Sequence, residues 1–428
     1  MTPKVKMLLN QIQRGEVPQG YKRGKLGIVT EDWEEVSLGD IYTERKEPGN
    51  DSLPILSVSI HSGVSDGELD EEQQTKKVKR IEDKSQYKRA ASGDLVFNMM
   101  RAWQGAIGTV RTEGMVSPAY IVAKPNDMVD PIFMDYFMKT DRMINTIHRQ
   151  SYGVTDFRLR LYWDSFAPIR CILPPLDEQK KIAQILSEQD KVIELLDQKN
   201  EQLQQLKKYC LAKMFPKKGA NVPEIRFPEY ADPWEQRKLG DIGTTFTGLS
   251  GKSKEDFGHG DARFVTYMNV FANPVADPER VEAVEIDKSQ NTVQYGDIFF
   301  TTSSETPEEV GMSSVWLENA QNTYLNSFCF GYRPTETIDT HYIAYMLRSD
   351  TIRKRIVYLA QGISRYNISK SKVMQIEVSL PDLAEQKRLG EYFRQLDQLI
   401  TLHQRKRDEE VKKTKALMQL LLTGIVRV

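Results

Sequence analysis

The feature that most constrains the fold of this chain is a long internal repeat. Residues 33–41 (WEEVSLGDI) recur as residues 234–242 (WEQRKLGDI), 201 residues further along. Two further pairs return in the same order: residues 93–97 (GDLVF) as 296–300 (GDIFF), and residues 173–180 (LPPLDEQK) as 380–387 (LPDLAEQK). Solenoid repeats have periods of about 20–50 residues. A period near 200 therefore predicts a duplicated domain.

Each copy has the same layout, a globular part followed by a long helix. Short alternating apolar runs between turns predict strands in the globular part. One helix is expected near its end, over residues 131–149 in the first copy and 340–360 in the second. A strand that stops at prolines then precedes residues 177–214, which hold no Gly or Pro, and residues 383–422, which hold one Gly.

Both of these last stretches carry apolar residues at helical spacing. At 1.5 Å per residue they predict helices about 55–60 Å long. The stripes are narrow, which favours a two-helix coiled coil. The alternative is that each helix packs on its own domain, but a domain of about 150 residues is too small to cover such a helix.

The composition fits a soluble chain and does not by itself indicate nucleic-acid binding. The net charge is −1, from 59 basic and 60 acidic residues, whereas a dedicated binder is often strongly basic. No apolar run approaches the roughly 20 residues of a membrane span, and residues 1–18 lack the apolar centre of a signal peptide. Three distant cysteines make a disulfide framework unexpected, so we expect a cytoplasmic location.

Motifs for catalysis are incomplete. Residues 246–253 (FTGLSGKS) end like a phosphate loop, but Phe246 stands where glycine is needed. Asp40 with residues 44–46 (ERK) resembles a nuclease set that the second copy lacks. The chain has no Asn/Asp-Pro-Pro-aromatic box of an amino-methyltransferase, and no two of its five histidines are close in sequence. We therefore expect no catalytic and no metal site.

The chain resembles the specificity subunit of type I restriction-modification systems. The resemblance is carried by residues 33–41 and 234–242 at the domain starts, by residues 152–155 (YGVT) and 362–369 (GISRYNIS) ahead of the final strands, and by residues 174–179 (PPLDEQ) and 381–386 (PDLAEQ) at the helix starts. It covers nearly the whole chain except residues 1–30, where a short helix over residues 7–14 is expected. Asp382 replaces the second proline of the first copy and suits a helix N-cap.

The resemblance implies an α/β (α+β) fold with two mixed target recognition domains joined by two long antiparallel helices. The expected segments are an extension at 1–30, domain 1 at 31–175, spacer helix 1 at 176–218, domain 2 at 219–381 and spacer helix 2 at 382–428. Each domain would read one half of a split double-stranded DNA target, and the helices would set the gap. A rigid spacer would fix which grooves the domains reach, because DNA repeats every ~34–36 Å.

The resemblance also implies partner subunits. Two methyltransferase subunits would dock on the helices, where Leu196, Leu203, Leu396 and Leu399 are candidate contacts. Endonuclease subunits that translocate DNA would join them. We expect no cofactor in this chain, and S-adenosylmethionine, ATP and Mg in the partner subunits.

Candidate DNA contacts come from basic runs and from planar donors. Basic runs neutralise phosphates without reading sequence, while Arg suits guanine and Asn or Gln suits adenine. The phosphate candidates are Lys76, Lys77, Lys79, Arg80, Arg355, Lys370 and Lys372, from basic runs at 73–89 and 348–372. The base-reading candidates are Asn98, Arg101, Gln104, Arg158, Arg160, Ser303, Ser304, Arg365 and Asn367. A solvated surface remains the alternative for each basic run, and Trp103 is expected to pack in a core.

Two other functions stay open at this point. The near-zero charge and long helices also suit a non-enzymatic scaffold whose duplicated domains bind protein. A self-contained nuclease or methyltransferase is the third possibility, and the incomplete motifs count against it.

Overall fold

A computed structural model of the chain describes residues 3–24, 26–60, 63–66, 83–153 and 158–428. The chain divides into two compact units, unit 1 with residues Met1–Leu195 and Arg407–Val428, and unit 2 with residues Leu196–Lys406. Within the described residues, no helix is both long and apolar enough to cross a membrane.

Unit 1 is of mixed α/β build. Its helices are α1 Pro3–Gln13, α2 Leu38–Ile41, α3 Pro131–Met138, α4 Asp141–Gln150, α5 Trp163–Phe166, the first part of α6 Leu176–Lys213 and the last part of α11 Leu383–Leu421. Its strands are β1 Tyr21–Gly24, β2 Gly27–Thr30, β3 Glu34–Ser37, β4 Tyr42–Glu44, β5 Leu56–Ser59, β6 Gly63–Asp66, β7 Lys88–Ala90, β8 Leu95–Asn98, β9 Ile107–Thr109, β10 Gly114–Val116, β11 Tyr120–Pro125 and β12 Arg170–Leu173.

Unit 2 repeats this build. Its helices are α7 Tyr267–Ala272, α8 Thr340–Met346, α9 Asp350–Tyr358, α10 Lys370–Val373 and the first part of α11 Leu383–Leu421, with the last part of α6. Its strands are β13 Glu235–Lys238, β14 Gly243–Thr247, β15 Phe257–Val265, β16 Val281–Val284, β17 Ile298–Thr301, β18 Ser303–Ser304, β19 Ser313–Val315, β20 Thr323–Leu325, β21 Cys329–Pro334, β22 Tyr366–Asn367 and β23 Glu377–Leu380.

The sheet topology confirms the internal repeat. The antiparallel sheet of unit 1 has the order β4-β11-β8-β9, and that of unit 2 has the matching order β14-β21-β17-β19. The strand before each long helix also pairs with the first strand of its domain, β12 with β3 and β23 with β13. Unit 2 also contains the three-stranded sheet β16-β15-β20, in which β15 and β20 pair in parallel. A parallel bridge between Ile55 and Met115 of β10 takes the corresponding place in unit 1. The scaffold is therefore duplicated.

The prediction of a single helix before the end of each domain is wrong, because each unit has two shorter helices there. In unit 1, α3 ends at Met138 and α4 begins after Thr140, whose side chain accepts the Met143 backbone N–H and caps the new helix. In unit 2, α8 ends at Met346 and Ser349 is the N-cap of α9. Thr favours such a cap because its side-chain oxygen accepts a backbone N–H that the first turn leaves unpaired. Ser349 has the extended backbone of an N-cap but makes no side-chain cap bond.

The two long helices run antiparallel within each unit. In unit 2, near the end of α6, Lys207 pairs with Asp397 of early α11 at 2.5 Å, and Cys210 lies 3.4 Å from the Tyr392 hydroxyl. In unit 1, Ile182 of early α6 belongs to the same core as Leu421 at the end of α11. The expected antiparallel pairing is thus present at both ends.

Much of the apolar stripe of these helices is buried within the chain, while Val192, Leu206 and Leu399 of the stripe are exposed. Leu196, Leu203 and Leu396 are buried, so their predicted role as partner contacts needs correction: they are core residues of this chain. Leu399 is 46% exposed and stays available to a partner.

The Glu-Gln motif at the start of each long helix ties that helix to its domain. The Gln179 amide donates to the carbonyls of Met128 and Pro174 and accepts from the Asp130 backbone N–H at 2.8 Å. Gln386 repeats this arrangement with the Pro381 carbonyl and the Asp339 N–H at 3.0 Å. Since Asp130 and Asp339 cap α3 and α8, the motif fixes three elements at once.

The glutamate of the motif binds an arginine from beyond the end of the other long helix. In unit 1, Arg427 donates two hydrogen bonds to Glu178, at 2.6 and 2.7 Å. In unit 2, Arg226 does the same to Glu385, with both bonds at 2.8 Å. Glu385 is fully buried and Arg226 nearly so, which makes their pairing obligatory.

Replacing Glu385 with alanine is expected to lower the free energy of unfolding by about 2–3 kcal/mol, because the Arg226 guanidinium loses its carboxylate partner and keeps only the Asp232 carbonyl. Glu391→Ala is the matched control on the same helix. Glu391 pairs with Arg394 but is 41% exposed, so its loss should cost less than about 1 kcal/mol. Urea denaturation followed by tryptophan fluorescence measures both, and equal losses would contradict this reading.

Candidate nucleic-acid interface

Two loops occupy equivalent places in the two units. Each follows the strand that begins directly after a Gly-Asp pair, β8 in unit 1 and β17 in unit 2. The loop after β8 begins at Met99, whose carbonyl accepts from the Leu161 N–H at 2.9 Å. The loop after β17 begins at Thr302, whose carbonyl accepts from the Ile368 N–H at 3.0 Å. These matching bonds align Arg101 with Ser304.

A second loop lies beside each of these and is closed by a short backbone bridge. Tyr152 bridges Arg160 in unit 1, and Gln361 bridges Asn367 in unit 2. Most base-reading candidates therefore fall on two equivalent pairs of loops, which the sequence spacing alone did not reveal.

Each bridged loop requires a glycine. A Cβ on Gly153 would lie 2.3 Å from the Arg158 carbonyl oxygen, and one on Gly362 would lie 2.0 Å from the Arg365 carbonyl oxygen. Gly362 also has φ +143, which L side chains rarely adopt. Each glycine therefore lies directly against an arginine of the same loop. Arg158 and Arg365 occupy equivalent positions, two residues before the bridged Arg160 and Asn367, and both are exposed.

Among the described residues of the unit 1 loops, the polar side chains of Arg101, Gln104, Arg158 and Arg160 are exposed to solvent. Asn98 is only half-buried, but its amide oxygen accepts the Met100 backbone N–H at 2.9 Å and so shapes the turn. The Trp103 indole donates to the Met100 carbonyl and packs on the core of the unit, as expected.

The unit 2 loops line an open cavity of about 720 Å³. Its walls are Tyr267, Met268, Phe271, Ser303, Ser304, Glu305, Glu309, Ser364 and Arg365. The Arg365 guanidinium lies 5.9 Å from the Phe328 ring, a cation–π contact that holds it near the cavity. Asn367 is exposed beside it, on the strand that pairs with Ser303.

Ser303 and Ser304 are less accessible than the other candidates of the unit 2 loops. Both are buried, and the Ser304 hydroxyl is bonded to Glu309 at 3.1 Å. The Ser303 carbonyl accepts from the Tyr267 hydroxyl at 2.7 Å, and burial raises the pKa of that tyrosine. Both serines are buried because they form a short strand, β18, at the base of the cavity.

The second basic run separates into structural and surface residues. Arg348 donates to the carbonyls of Val270, Phe271, Asn273 and Ser313, and Arg353 to those of Glu308, Val310 and Gly311. Burial lowers the pKa of both guanidinium groups. Arg355 donates to the Glu377 carbonyl, Lys370 is half-buried, and Lys372 is exposed. The first-run candidates Lys76, Lys77, Lys79 and Arg80 lie outside the described residues.

Sequence reasoning missed Tyr267, Met268, Glu305 and Glu309. The two carboxylates are exposed at the cavity, where they are suited to accept hydrogen bonds from a cytosine amino group. Tyr267 and Met268 belong to α7, which has no counterpart among the described residues of unit 1, so the repeat did not point to them. In the part of the chain that the structure describes, no cluster of potential metal ligands is found.

Two copies of one mixed α/β domain, each with a pair of polar loops and a long helix, define a duplicated recognition protein. Residues 30–205 and 231–413 match the family described as Type I restriction modification DNA specificity domain. The two matches cover most of the chain, so the chain belongs to this family and its role is DNA sequence specificity.

Similar proteins agree with this assignment. The Type I restriction enzyme MjaVIII specificity subunit of Methanocaldococcus jannaschii is 24% identical over 448 residues, which cover 94% of each chain. A structure on complex assembly and conformational transition of the type I R-M system contains a chain that is 16% identical, with 93% of this chain and 99% of that one covered and a TM-score of 0.57. The Type-I restriction-modification system S subunit from M. genitalium is 13% identical, with 91% and 96% covered and a TM-score of 0.51. At these identities the two structures show the fold alone.

Gly362→Ala is expected to open the loop that carries Arg365, because the new Cβ collides with a backbone oxygen. Amide hydrogen exchange over residues 361–367 should become at least tenfold faster. Gly219→Ala is the control, since Gly219 also has a positive φ, +82, but has nothing within 4 Å of its added Cβ. Unchanged exchange in the Gly362 variant would show that the loop tolerates a side chain.

Proposed function

We propose that each domain reads one half of a split DNA target through its paired loops. In unit 1 the reading residues are Arg101, Gln104, Arg158 and Arg160, with Asn98 shaping the turn. In unit 2 they are Arg365 and Asn367, with Glu305 and Glu309 at the cavity. The observation that carries the proposal is that equivalent loops on matching scaffolds hold different side chains, as two readers of different half-sites require.

The physical basis is that base contacts select the sequence, whereas phosphate contacts supply affinity. Arg pairs with guanine through two donors and Asn pairs with adenine through a donor and an acceptor, each worth about 1–3 kcal/mol of discrimination. Lysines such as Lys370, and the run at 76–80, would contact phosphates and supply salt-dependent affinity without selecting sequence. A net charge of −1 then leaves DNA affinity to local patches and to partner subunits.

The chemistry would lie in other chains. We propose that two methyltransferase subunits, which bind S-adenosylmethionine, dock on the long helices near Leu399, and that ATP- and Mg-dependent endonuclease subunits join them. In this arrangement the present chain catalyses nothing and selects the site, and the helices set the gap between half-sites. The cytoplasm is the compartment where such an assembly would meet DNA.

Paired arginine variants test the division of labour between the domains. Arg158→Ala should relax the sequence preference of one half-site by about 10- to 100-fold and leave the other half unchanged. Arg365→Ala should do the reverse. The measurement is methylation of a randomised target library by the assembled complex. Arg280→Ala, in an exposed turn that does not line the unit 2 cavity, is the control, and changes in both halves from one variant would contradict the proposal.

A domain exchange tests the proposal at larger scale. Replacing residues 31–175 with the corresponding segment of a family member of known target should change one half of the methylated sequence and keep the other. Sequencing of methylated positions in a host genome gives the result. An unaltered methylated sequence would remove the proposal and favour a protein-binding scaffold.

A further inference from the structure

Unit 2 has an open groove that shares no lining residue with its reading cavity. The groove has a volume of about 790 Å³ and lies between the end of α6, one face of α9 and the start of β23. Its floor includes Ala212, Leu359 and Ile376, and Tyr358 stands at its edge with 89% of its side chain exposed. A largely apolar floor open to solvent needs an explanation.

The same place in unit 1 can be identified residue by residue. The aligned helices α4 and α9 and strands β12 and β23 make Arg142, Thr146 and Gln150 equivalent to Thr351, Arg355 and Leu359. They also make residues 168–170 equivalent to residues 375–377. All of these residues line a cavity in their own unit, about 500 Å³ in unit 1. The two cavities are therefore one feature of the repeated fold.

In unit 1 this place is covered by the N-terminal extension, which lies outside the repeat. Ile12 of α1 and Leu26 and Ile28 of the β1–β2 hairpin line the cavity. Arg142 donates to the Leu26 carbonyl at 2.9 Å, and Tyr21 donates to the Gly424 carbonyl at 2.9 Å. The extension, whose role the sequence left open, thus supplies apolar side chains to the groove of its own unit.

The unit 2 groove differs from its counterpart in charge. It is lined by Lys213, Lys217, Lys218, Lys354, Arg355 and Lys372, against Asp350 and Glu377. Lys213 and Lys217 pair with Glu224, which leaves Lys218 and Lys354 exposed with no ion pair among the described residues. The Nε atom of Arg355 is buried and has no hydrogen-bond partner in unit 2.

We propose that the unit 2 groove binds an acidic, amphipathic polypeptide segment of a partner subunit, in the position that the N-terminal extension takes in unit 1. The apolar side chains of that segment would cover the floor at Leu359 and Ile376, and its carboxylates would pair with Lys218, Lys354 and Arg355. The existence of partner subunits rests on the proposed function.

The occupant follows from the repeat and from charge. The equivalent groove of unit 1 holds polypeptide, and an apolar floor suits a side chain better than a phosphate. A second copy of this chain is disfavoured, because residues 1–30 carry six Lys or Arg and one Glu and would be repelled by the basic groove. The proposal also reassigns Arg355 and Lys372, which line this groove, from DNA contact to partner contact.

A site-specific crosslink tests the occupant directly. A photo-crosslinking phenylalanine analogue is placed at Tyr358 of the full chain, which is then assembled with its purified methyltransferase and endonuclease subunits and DNA. Mass spectrometry should identify one partner segment that is net acidic and contains apolar residues at helical spacing. Crosslinks to DNA alone, to residues 1–30 of another copy, or to nothing would each overturn the proposal.

Charge reversal tests the electrostatics. Lys218→Glu with Lys354→Glu should weaken assembly with the crosslinked partner at least tenfold at low salt, whereas Lys288→Glu, an exposed lysine of unit 2 outside the groove, should not. Unweakened assembly would contradict the proposal. Asn145→Glu, the unit 1 counterpart of Lys354, is a second control.

At saturating partner concentration the double variant should methylate the same sequence as the parent chain. A changed methylated sequence would mean that the groove reads DNA. That result would contradict the partner proposal and would leave the proposal of target recognition standing. Failure of the domain exchange described above would instead remove target recognition, so the two failures can be told apart.

Discussion

The buried carboxylate at the start of each long helix is the interaction on which the rest of each unit depends. A charge removed from water is stable only when it is paired and hydrogen-bonded. Glu178 and Glu385 meet this requirement with an arginine from beyond the end of the opposite helix, Arg427 and Arg226. In each unit, one ion pair therefore connects the start of one long helix to the segment that follows the end of the other.

The adjoining glutamines extend this fixation to the domain itself. Because Gln179 and Gln386 bond to the residues that cap α3 and α8, the globular part cannot shift along its helix without breaking buried hydrogen bonds. A scaffold held in this way can vary its loops at little cost. The two units do so: their four-stranded sheets match, while the described side chains of their paired loops differ.

Much of this scaffold could be predicted from the sequence, because repeated motifs mark repeated contacts. Residues 33–41 and 234–242 begin the domains. The apolar residues at helical spacing predicted the two long helices. Leu196, Leu203 and Leu396 were placed on that stripe correctly, but their burial makes them core and not partner residues. The break between α3 and α4 was missed, since a Thr cap at residue 140 leaves the apolar spacing almost intact.

The candidate site was predicted in part. The sequence pointed to the arginines at 101, 158 and 365 because planar donors after apolar strands are suited to a groove. All three are exposed on the paired loops, and their contact with bases stays a prediction. The burial of Ser303 and Ser304 in β18 was not predicted, because nothing in the sequence shows it, and their contact with bases stays a prediction. Glu305, Glu309 and α7 were missed, as was the groove of unit 2, since these arise from contacts between distant segments and from the absence of a covering extension.

A structure of the assembled complex on its own target DNA tests the central claim most directly. The account predicts that Arg101 and Arg158 contact base edges in one half-site, and that Arg365 and Asn367 contact base edges in the other. Base contacts made by other faces of the two domains, or both half-sites read by one unit, would contradict it.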